Sequence, residues 1–308
     1  MAENRSQQQK DLHINKPEWL KTKIPRGSTL FRIKKDLRSK RLFTVCEEAK
    51  CPNISECWSY NTATFMILGD TCTRTCRFCH IKTGNPGGLV DEMEPRNTAE
   101  TVRLMNLKYV VLTMVDRDDL SDGGASHCAA VMKEIRRESP GVKIEFLGGD
   151  FKGDEFALAT ILDGEPEVFA HNLETVRRLT PRVRDGRSSY DQSLEVLNKM
   201  KKISKTPILT KSSLMLGLGE SRKEVEETLG DMRSAGVDLV TIGQYMRPTK
   251  KHLSIKEWIT PEDFAYYQTL GTDLGFLHVV SGPLVRSSYR ADEGYDKAMK
   301  SRESEHGQ

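Results

Sequence analysis

Short apolar runs alternate with segments of helical periodicity from Thr62 onward, and this alternation limits the folds that are open to the chain. Six runs have the length and composition of β-strands. They are TATFMIL (62–68), YVVLT (109–113), KIEFL (143–147), EVFAH (167–171), PILTKSSLML (207–216) and DLVTIG (238–243). Helical patterns separate most of them, at 98–106, 124–138, 191–203 and 222–235. Repeated strand–helix units predict a parallel sheet, so we expect an α/β fold, a partial (β/α)6 TIM-type barrel with a further short strand near 277–280.

Each predicted strand is followed by a polar or cysteine-bearing segment. CTRTCRFCH begins four residues after Leu68, and DRDDLSDGGA, GGDFKGD, HNLETV, GLGE and GQYMRPTKKH follow the next five strands. In barrels of this type the reactive loops lie at the carboxyl ends of the strands. We therefore expect these segments to meet at one rim.

Six of the seven cysteines form two triads. The first triad is Cys46, Cys51 and Cys57, and the second is Cys72, Cys76 and Cys79. Three thiolates spaced CxxxCxxC, as in the second triad, can bind three irons of a [4Fe-4S] cluster and leave the fourth iron open to another molecule. Zinc is an alternative because it also favours short cysteine spacings and His80 is adjacent, but no fourth ligand completes a familiar zinc pattern. The seventh cysteine, Cys128, lies in a helical pattern and is interpreted as an ordinary buried thiol.

The charge of the chain argues against a nucleic-acid partner. Its 308 residues carry 47 Lys and Arg against 44 Asp and Glu, a net charge of +3 that is spread along the sequence rather than gathered in one block. No apolar stretch approaches the length of a membrane span, and the opening MAENRSQQQK has neither an apolar signal core nor the character of a transit peptide. We expect a cytoplasmic protein, mature as written, whose cysteines serve metal or redox chemistry rather than a disulfide framework.

The second triad, with Phe78 before its last cysteine, resembles the signature of the radical S-adenosylmethionine superfamily. The string CEEAKCPNISECW resembles the lipoyl synthase family within it. The same resemblance runs through ATFMILGDTCTRTCRFC, RDDLSDGGA, HNLETVRRL, GLGE, GQYMRP and GPLVRSSYRA. It implies that Cys72, Cys76 and Cys79 hold a cluster whose open iron chelates S-adenosylmethionine, which one electron cleaves to a 5′-deoxyadenosyl radical. The candidate contacts to this cofactor are Gly123, Gly124, Asn172 and Arg184, for which a turn, a helix cap or a solvated charge is the plainer interpretation.

The resemblance also implies an auxiliary [4Fe-4S] cluster held by Cys46, Cys51 and Cys57. Its fourth ligand would be Ser288, the second serine of the RSSY string at 286–289. A second RSSY string occupies 187–190 at the start of a helical pattern, where serine is a common cap, so we do not expect it to bind the cluster.

The implied activity is that of a sulfurtransferase. Two sulfur atoms would enter C6 and C8 of a protein-bound octanoyl group, the octanoyl-lysine of a lipoyl carrier domain, to form the lipoyl cofactor. The auxiliary cluster would supply the sulfur, and two S-adenosylmethionine molecules would be used per lipoyl group. A narrow apolar channel should hold the acyl arm.

The implied partners are proteins. They are octanoylated carrier domains such as 2-oxoacid dehydrogenase E2 subunits and the glycine cleavage H protein, an electron donor such as flavodoxin or ferredoxin, and an iron–sulfur carrier for cluster repair. A basic loop could line the mouth used by an acidic carrier domain, although a charge run is usually a solvated face. Its residues are Tyr245, Arg247, Pro248, Lys250, Lys251 and His252.

We expect three parts in the chain. An N-terminal extension at 1–60 would carry the auxiliary cluster motif, a radical S-adenosylmethionine partial barrel would span 61–280, and a C-terminal extension at 281–308 would carry Ser288 and a polar tail. Two features depart from the family pattern: Gly148-Gly149 precede Asp150 where a proline is usual before the Asp, and Met114 replaces a small polar residue. Neither feature alters an expected iron ligand.

Two other functions remain open on the sequence alone. A methylthiotransferase acting on RNA or protein would also use two clusters, but we would expect a separate domain for the second one. A scaffold with two structural metal sites would be colourless with zinc and would not cleave S-adenosylmethionine.

Overall fold

The computed structural model describes residues 16–21, 42–48, 53 and 62–306. Cys51 and Cys57 lie outside the described residues, and Cys46 is described through its backbone only. The strands are β1 Phe43–Thr44, β2 Thr62–Ile67, β3 Thr71–Cys72, β4 Lys82–Thr83, β5 Tyr109–Met114, β6 Lys143–Leu147, β7 Val168–Ala170, β8 Leu209–Leu216, β9 Leu239–Gln244 and β10 His278–Gly282. The α-helices are α1 Val45–Glu48, α2 Glu94–Leu104, α3 Ala125–Glu138, α4 Glu155–Leu162, α5 Thr180–Val183, α6 Tyr190–Ile203, α7 Arg222–Ser234, α8 Pro261–Asp273 and α9 Ala291–His306. Short 3-10 helices lie at Glu18–Leu20 and Phe151–Gly153.

Eight strands form one sheet in the order β1-β2-β5-β6-β7-β8-β9-β10. Every neighbouring pair is parallel except β1 and β2, which run antiparallel with Phe43 opposite Met66. Among the described residues β1 and β10 are the edges, so the sheet does not close on itself. The partial TIM-type barrel is therefore confirmed, and the six predicted strands and the short seventh one all lie in its parallel part.

The two faces of the sheet bury different groups. Val110 and Leu112 of β5 belong to the main apolar core. Their neighbours Tyr109 and Val111 point to the opposite face, since side chains alternate along a strand, and there they pack with Ala291 of α9. The helix α9 thus covers the inner face of the curved sheet near the amino ends of its strands.

Helix α9 was not predicted, because the segment after residue 280 is rich in charged side chains. Its apolar residues Ala291, Tyr295, Ala298 and Met299 nevertheless fall at helical spacing, and they pack against inner-face residues of the sheet. The expected polar tail is therefore a helix through His306. In the part of the chain that the structure describes, no helix is long and apolar enough to cross a membrane.

Candidate active site

The loop at 68–80, named here the cysteine loop, leaves the carboxyl end of β2 and carries the second cysteine triad. Cys72, Cys76 and Cys79 are free thiols, each partly buried. The N–H of Arg74 donates to Cys72 Sγ at 3.4 Å, and the N–H of Asp185 donates to Cys76 Sγ at 3.3 Å. These donors favour negatively charged sulfur atoms.

Burial opposes that charge on the same three sulfurs. It raises the pKa of Cys76 to about 12 and that of Cys79 to about 11, and it raises the pKa of Cys72, which also lies near the carboxylate of Asp116. A buried thiolate at neutral pH requires a nearby positive charge, which a bound metal centre supplies outright. The prediction that these three sulfurs bind a metal centre is compatible with that requirement.

The side chain of Arg74, between Cys72 and Cys76, was not predicted to matter from the sequence, yet its guanidinium lies among three carboxylates. Its guanidinium bonds both oxygens of Asp150, from Nη1 at 2.9 Å and from Nη2 at 2.7 Å. It also bonds Asp118, through Nε at 3.1 Å and Nη2 at 3.2 Å. Because Asp118 and Asp150 follow β5 and β6, one arginine ties three rim loops together.

The carboxylates around Arg74 differ in their acidity. Burial alone would raise the pKa of Asp150, but the two hydrogen bonds from Arg74 lower it to about 2. Asp116 accepts no hydrogen bond from Arg74, whose Nη1 lies 3.6 Å from Asp116 Oδ1. Burial raises the pKa of Asp116 to about 6. The site therefore keeps the buried carboxylate of Asp150 and the partly buried carboxylate of Asp118 ionised beside one arginine, which suits a ligand that brings positive charge.

A cavity of about 230 Å³ opens beside this cluster. Its walls come from the loops after β2, β5 and β6, and they include Arg74, Met114, Asp116, Asp118, Asp122 and Gly123. Met114, one of the two departures from the family pattern, therefore lines the cavity. The other departure is also close, since a Cβ on Gly149 would lie 2.5 Å from Asp116 Oδ1.

Gly123 and Gly124 both adopt positive φ, at 63° and 90°. A Cβ on Gly124 would come within 2.5 Å of Leu68 Cδ1, so this glycine makes room for the start of the cysteine loop. Gly123 alone of the pair lines the cavity.

Asn172 and Arg184 lie on the same rim, after β7. The Asn172 amide donates to Glu174 Oε1 at 3.1 Å, and its buried Oδ1 has no partner among the described residues. Arg184 is 7% exposed and donates to Ser193 Oγ at 2.7 Å, so the plainer interpretation of a solvated charge is wrong for it. The unpaired Oδ1 of Asn172 and the buried guanidinium of Arg184 would both suit a polar ligand on this part of the rim.

The comparisons with known proteins agree with this geometry. Residues 66–232 match the family model of the Radical SAM superfamily, and residues 1–51 match the N-terminal domain of lipoyl synthase of that family. A lipoyl synthase of Thermus thermophilus is 56% identical over 284 residues, which cover 92% of this chain and 88% of that protein. This chain belongs to the lipoyl synthase family. A mitochondrial lipoyl synthase of Candida tropicalis is 53% identical over 290 residues, 93% of this chain and 77% of that protein.

Solved structures show the same fold at low identity. A methylornithine synthase superimposes with a TM-score of 0.54 at 13% identity, covering 91% of this chain and 83% of that one. The FeFe-hydrogenase maturase HydG of Carboxydothermus hydrogenoformans gives a TM-score of 0.57 at 10% identity, covering 96% and 72%. The expected radical S-adenosylmethionine fold and enzyme class are confirmed.

Membership of the superfamily implies a [4Fe-4S] cluster and S-adenosylmethionine, and the second triad of this lipoyl synthase family member fits such a cluster. In the described ranges, no three His, Cys, Asp or Glu side chains converge as a single metal ion requires. A [4Fe-4S] cluster asks for a different arrangement, in which each thiolate binds its own iron.

The two RSSY strings of this lipoyl synthase family member occupy different environments. Ser189 caps α6, accepting a hydrogen bond from Gln192 N at 3.0 Å, as expected for a helix start. Ser288 is half-buried beyond the end of β10. The neighbouring Arg286 donates from Nη1 to the carbonyl of Gln244 at 3.0 Å, which holds that string against the carboxyl end of β9.

One described residue near the first triad, Asn53, contacts the chain just before this C-terminal string. Asn53, two residues after Cys51, donates from Nδ2 to the carbonyl of Leu284 at 2.8 Å. Leu284 lies four residues before Ser288. The contact spans 231 positions in sequence and joins Asn53 to the segment after β10.

The basic loop at 245–252 differs in part from its prediction. Tyr245 is 1% exposed, and its hydroxyl donates to the carbonyl of Leu253 at 3.0 Å, so it does not line a mouth. His252 Nε2 lies 2.9 Å from the carbonyl of Cys79 and ties this loop to the cysteine loop. Cys128 is fully buried in α3, as expected.

Proposed function

We propose that this chain inserts two sulfur atoms at C6 and C8 of a protein-bound octanoyl group to form the lipoyl cofactor. The sulfur would come from an auxiliary [4Fe-4S] cluster held by Cys46, Cys51, Cys57 and Ser288. The second cluster would be held by Cys72, Cys76 and Cys79, with S-adenosylmethionine on its open iron. Together these groups supply hydrogen abstraction from unactivated carbon and a source of sulfide.

The residues of the chain have distinct parts in this proposal. Arg74 and Asp150 fix the shape of the cysteine loop, so that three sulfurs are held before the cluster binds. Gly123, Gly124, Asn172 and Arg184 are the proposed contacts to S-adenosylmethionine, and of these Asn172 offers a free acceptor. Helix α9 covers the inner face of the sheet near the amino ends of its strands and would close the end of the barrel opposite the rim.

The division of the chain follows the same proposal. The N-terminal part at 1–60 and the C-terminal part at 281–308 would hold the auxiliary cluster, and the barrel at 61–280 would hold the other. The observation that supports it is the hydrogen bond from Asn53 to Leu284, because Asn53 lies between Cys51 and Cys57 in sequence and Leu284 lies four residues before Ser288.

The partners belong to this proposal as well. The substrates would be octanoylated carrier domains, the reductant flavodoxin or ferredoxin, and an iron–sulfur carrier would rebuild the consumed cluster. The relatives include both bacterial and mitochondrial proteins, and a cytoplasmic location stays a prediction.

Two variants test the assignment of the clusters. Cys76→Ala should form no 5′-deoxyadenosine from S-adenosylmethionine with dithionite and an octanoyl-lysyl peptide. Cys51→Ala should still form it but yield no thiolated peptide. Cys128→Ala is the matched control and should retain both activities within about twofold, since that thiol is assigned no ligand role. Thiolated product from Cys51→Ala at the control level would remove the sulfur-donor role.

A further inference from the structure

Four exposed cations surround the outer side of the cysteine loop. They are Arg77 of that loop, Arg182 of α5, and Lys250 and Lys251 of the loop after β9. None of the four forms an ion pair with a residue that the structure describes. Exposed arginines elsewhere do pair, as Arg178 does with Glu224.

Backbone contacts make these cations one surface. The N–H of Arg77 donates to the carbonyl of Val183 at 2.9 Å, next to Arg182. The N–H of Leu253 donates to the carbonyl of Arg77 at 3.3 Å. The loop after β9 is therefore joined to α5 through Arg77, with its two lysines two and three residues before Leu253.

This surface lies directly over the second triad. His252 Nε2 bonds the carbonyl of Cys79 at 2.9 Å, and the rings of His80 and His252 meet edge to face at 5.5 Å. The loop that bears Lys250 and Lys251 is thus bonded directly to the backbone of Cys79, and two half-buried rings pack at that junction.

Like charges held together on a surface repel one another, and an acidic partner relieves that cost while being drawn to the site. We propose that this basic surface docks a small acidic electron-transfer protein, one that carries a flavin or an iron–sulfur group. The step moves one electron: the donor is oxidised by one electron, the cluster of the cysteine loop is reduced by one, and no bond forms or breaks between the proteins. The proposal rests on the proposed function, since it requires a cluster at the second triad.

An acidic carrier domain is the competing occupant, and the contacts disfavour it. The hydrogen bonds from Arg77 to Val183, from Leu253 to Arg77 and from His252 to Cys79 close the loops over this side of the rim. An acyl arm entering here would have to break them, whereas an electron needs only proximity to the cluster. The side bearing Asn53 and Leu284 remains for the arm.

The test is a double charge reversal, Lys250→Glu with Lys251→Glu. The matched control is Lys202→Glu with Lys205→Glu, two exposed lysines at the end of α6 and therefore on the opposite side of the barrel. Binding of an acidic flavodoxin is measured by titration calorimetry on cluster-loaded protein at low and at physiological salt. The Kd should rise roughly tenfold at low salt for the first pair and less than about twofold for the control.

Two activity measurements separate this proposal from the proposed function. With dithionite and an octanoyl-lysyl peptide, both double variants should cleave S-adenosylmethionine at the wild-type rate, while with reduced flavodoxin only the Lys250/Lys251 variant should be slowed. Unchanged flavodoxin binding would overturn the proposal. So would intact flavodoxin binding with weakened binding of an octanoylated carrier domain, which would assign the surface to the substrate. Failure of wild-type protein to cleave S-adenosylmethionine with dithionite would instead count against the proposed function.

Discussion

The carboxylate of Glu94 accepts a hydrogen bond from the backbone N–H of Leu68 at 2.8 Å, where the chain leaves β2 for the cysteine loop. Leu68 adopts φ of 67°, a left-handed conformation that is costly for a leucine. The same carboxylate accepts from Gly69 N at 3.2 Å and lies 2.7 Å from His127 Nε2. Arg117 lies 3.4 Å from the Leu68 carbonyl. Buried charged groups on both sides of this peptide thus hold the turn that aims the loop.

Replacement of Glu94 by glutamine should loosen the cysteine loop. An amide can accept from one of the two N–H groups but presents its own N–H to the other, so a buried donor loses its partner at a cost of about 1–3 kcal/mol. We expect iron to be lost to a chelator several-fold faster than from wild-type protein, measured by the decay of cluster absorbance. Glu92→Gln, an exposed change two residues away, is the control. Equal rates of iron loss in the two variants would contradict the assigned role.

The sequence predicted the strands well because each is a buried apolar run bounded by turn residues. It missed α4, Glu155–Leu162, because the run EFALATIL is almost entirely apolar and shows no helical period. It missed α9 for the opposite reason, since only scattered apolar residues mark its buried face. In both cases the helix is specified by tertiary packing, of α4 against neighbouring helices and of α9 against the sheet, rather than by its own pattern.

The candidate site was predicted as a set of cysteines, and its supporting charges were not. Arg74 meets Asp150 from 76 positions away, and Glu94 meets Leu68 from 26. Such pairs depend on which rim loops become neighbours. The order of the strands in the sheet decides this, and local composition does not. The cysteines could be picked out from the sequence because a [4Fe-4S] cluster requires thiolates at this close spacing within one loop.

A buried ion pair on the inner face of the sheet supplies a second prediction. Lys211 Nζ lies 2.8 and 3.0 Å from the two oxygens of Glu145, and Tyr109 donates to the same carboxylate at 2.9 Å. Lys211→Met should lower the free energy of unfolding by about 3–5 kcal/mol because it leaves a buried carboxylate without its cation. Urea denaturation measures the change.

The double variant Lys211→Met with Glu145→Gln is the control for that ion pair. It removes both charges and should recover most of the loss, since the remaining amide can still bond Tyr109. A double variant as unstable as Lys211→Met would show that the loss comes from packing rather than from the stranded charge.

His171 makes the stability of the fold depend on pH. Its Nδ1 can only donate to the carbonyl of Gly148, 2.9 Å away, and its Nε2 lies 3.0 Å from Ser193 Oγ. Burial, together with the charge of Arg184, lowers the pKa of His171 from 6.5 to about 4. Between these two pKa values the histidine is protonated in the unfolded chain but neutral in the folded protein. Its contribution to the free energy of unfolding is therefore complete above pH 6.5 and is lost as the pH falls toward 4.

Between pH 7 and pH 5.5 this histidine should account for a loss of about 1.2 kcal/mol in the free energy of unfolding. His171→Gln keeps a donor for Gly148 but does not titrate, so its loss over the same interval should be smaller by that amount. Urea unfolding of cluster-loaded protein at the two pH values gives the comparison. Identical pH dependence in the two proteins would assign the effect to another group.

The two serines of the repeated RSSY string should differ in what their removal costs. Ser189 caps α6 through Gln192 N, so Ser189→Ala should lower the free energy of unfolding by about 1 kcal/mol and leave sulfur insertion intact. Ser288 makes no hydrogen bond within the described part of the chain, so Ser288→Ala should leave stability within about 0.5 kcal/mol of wild type. It should nevertheless abolish thiolated product while 5′-deoxyadenosine still forms, because the auxiliary cluster would lose its oxygen ligand. Thermal unfolding measures the stability of both variants, and mass spectrometry measures their thiolated product. Loss of product from Ser189→Ala but not from Ser288→Ala would show that the ligand is the serine of the other RSSY string.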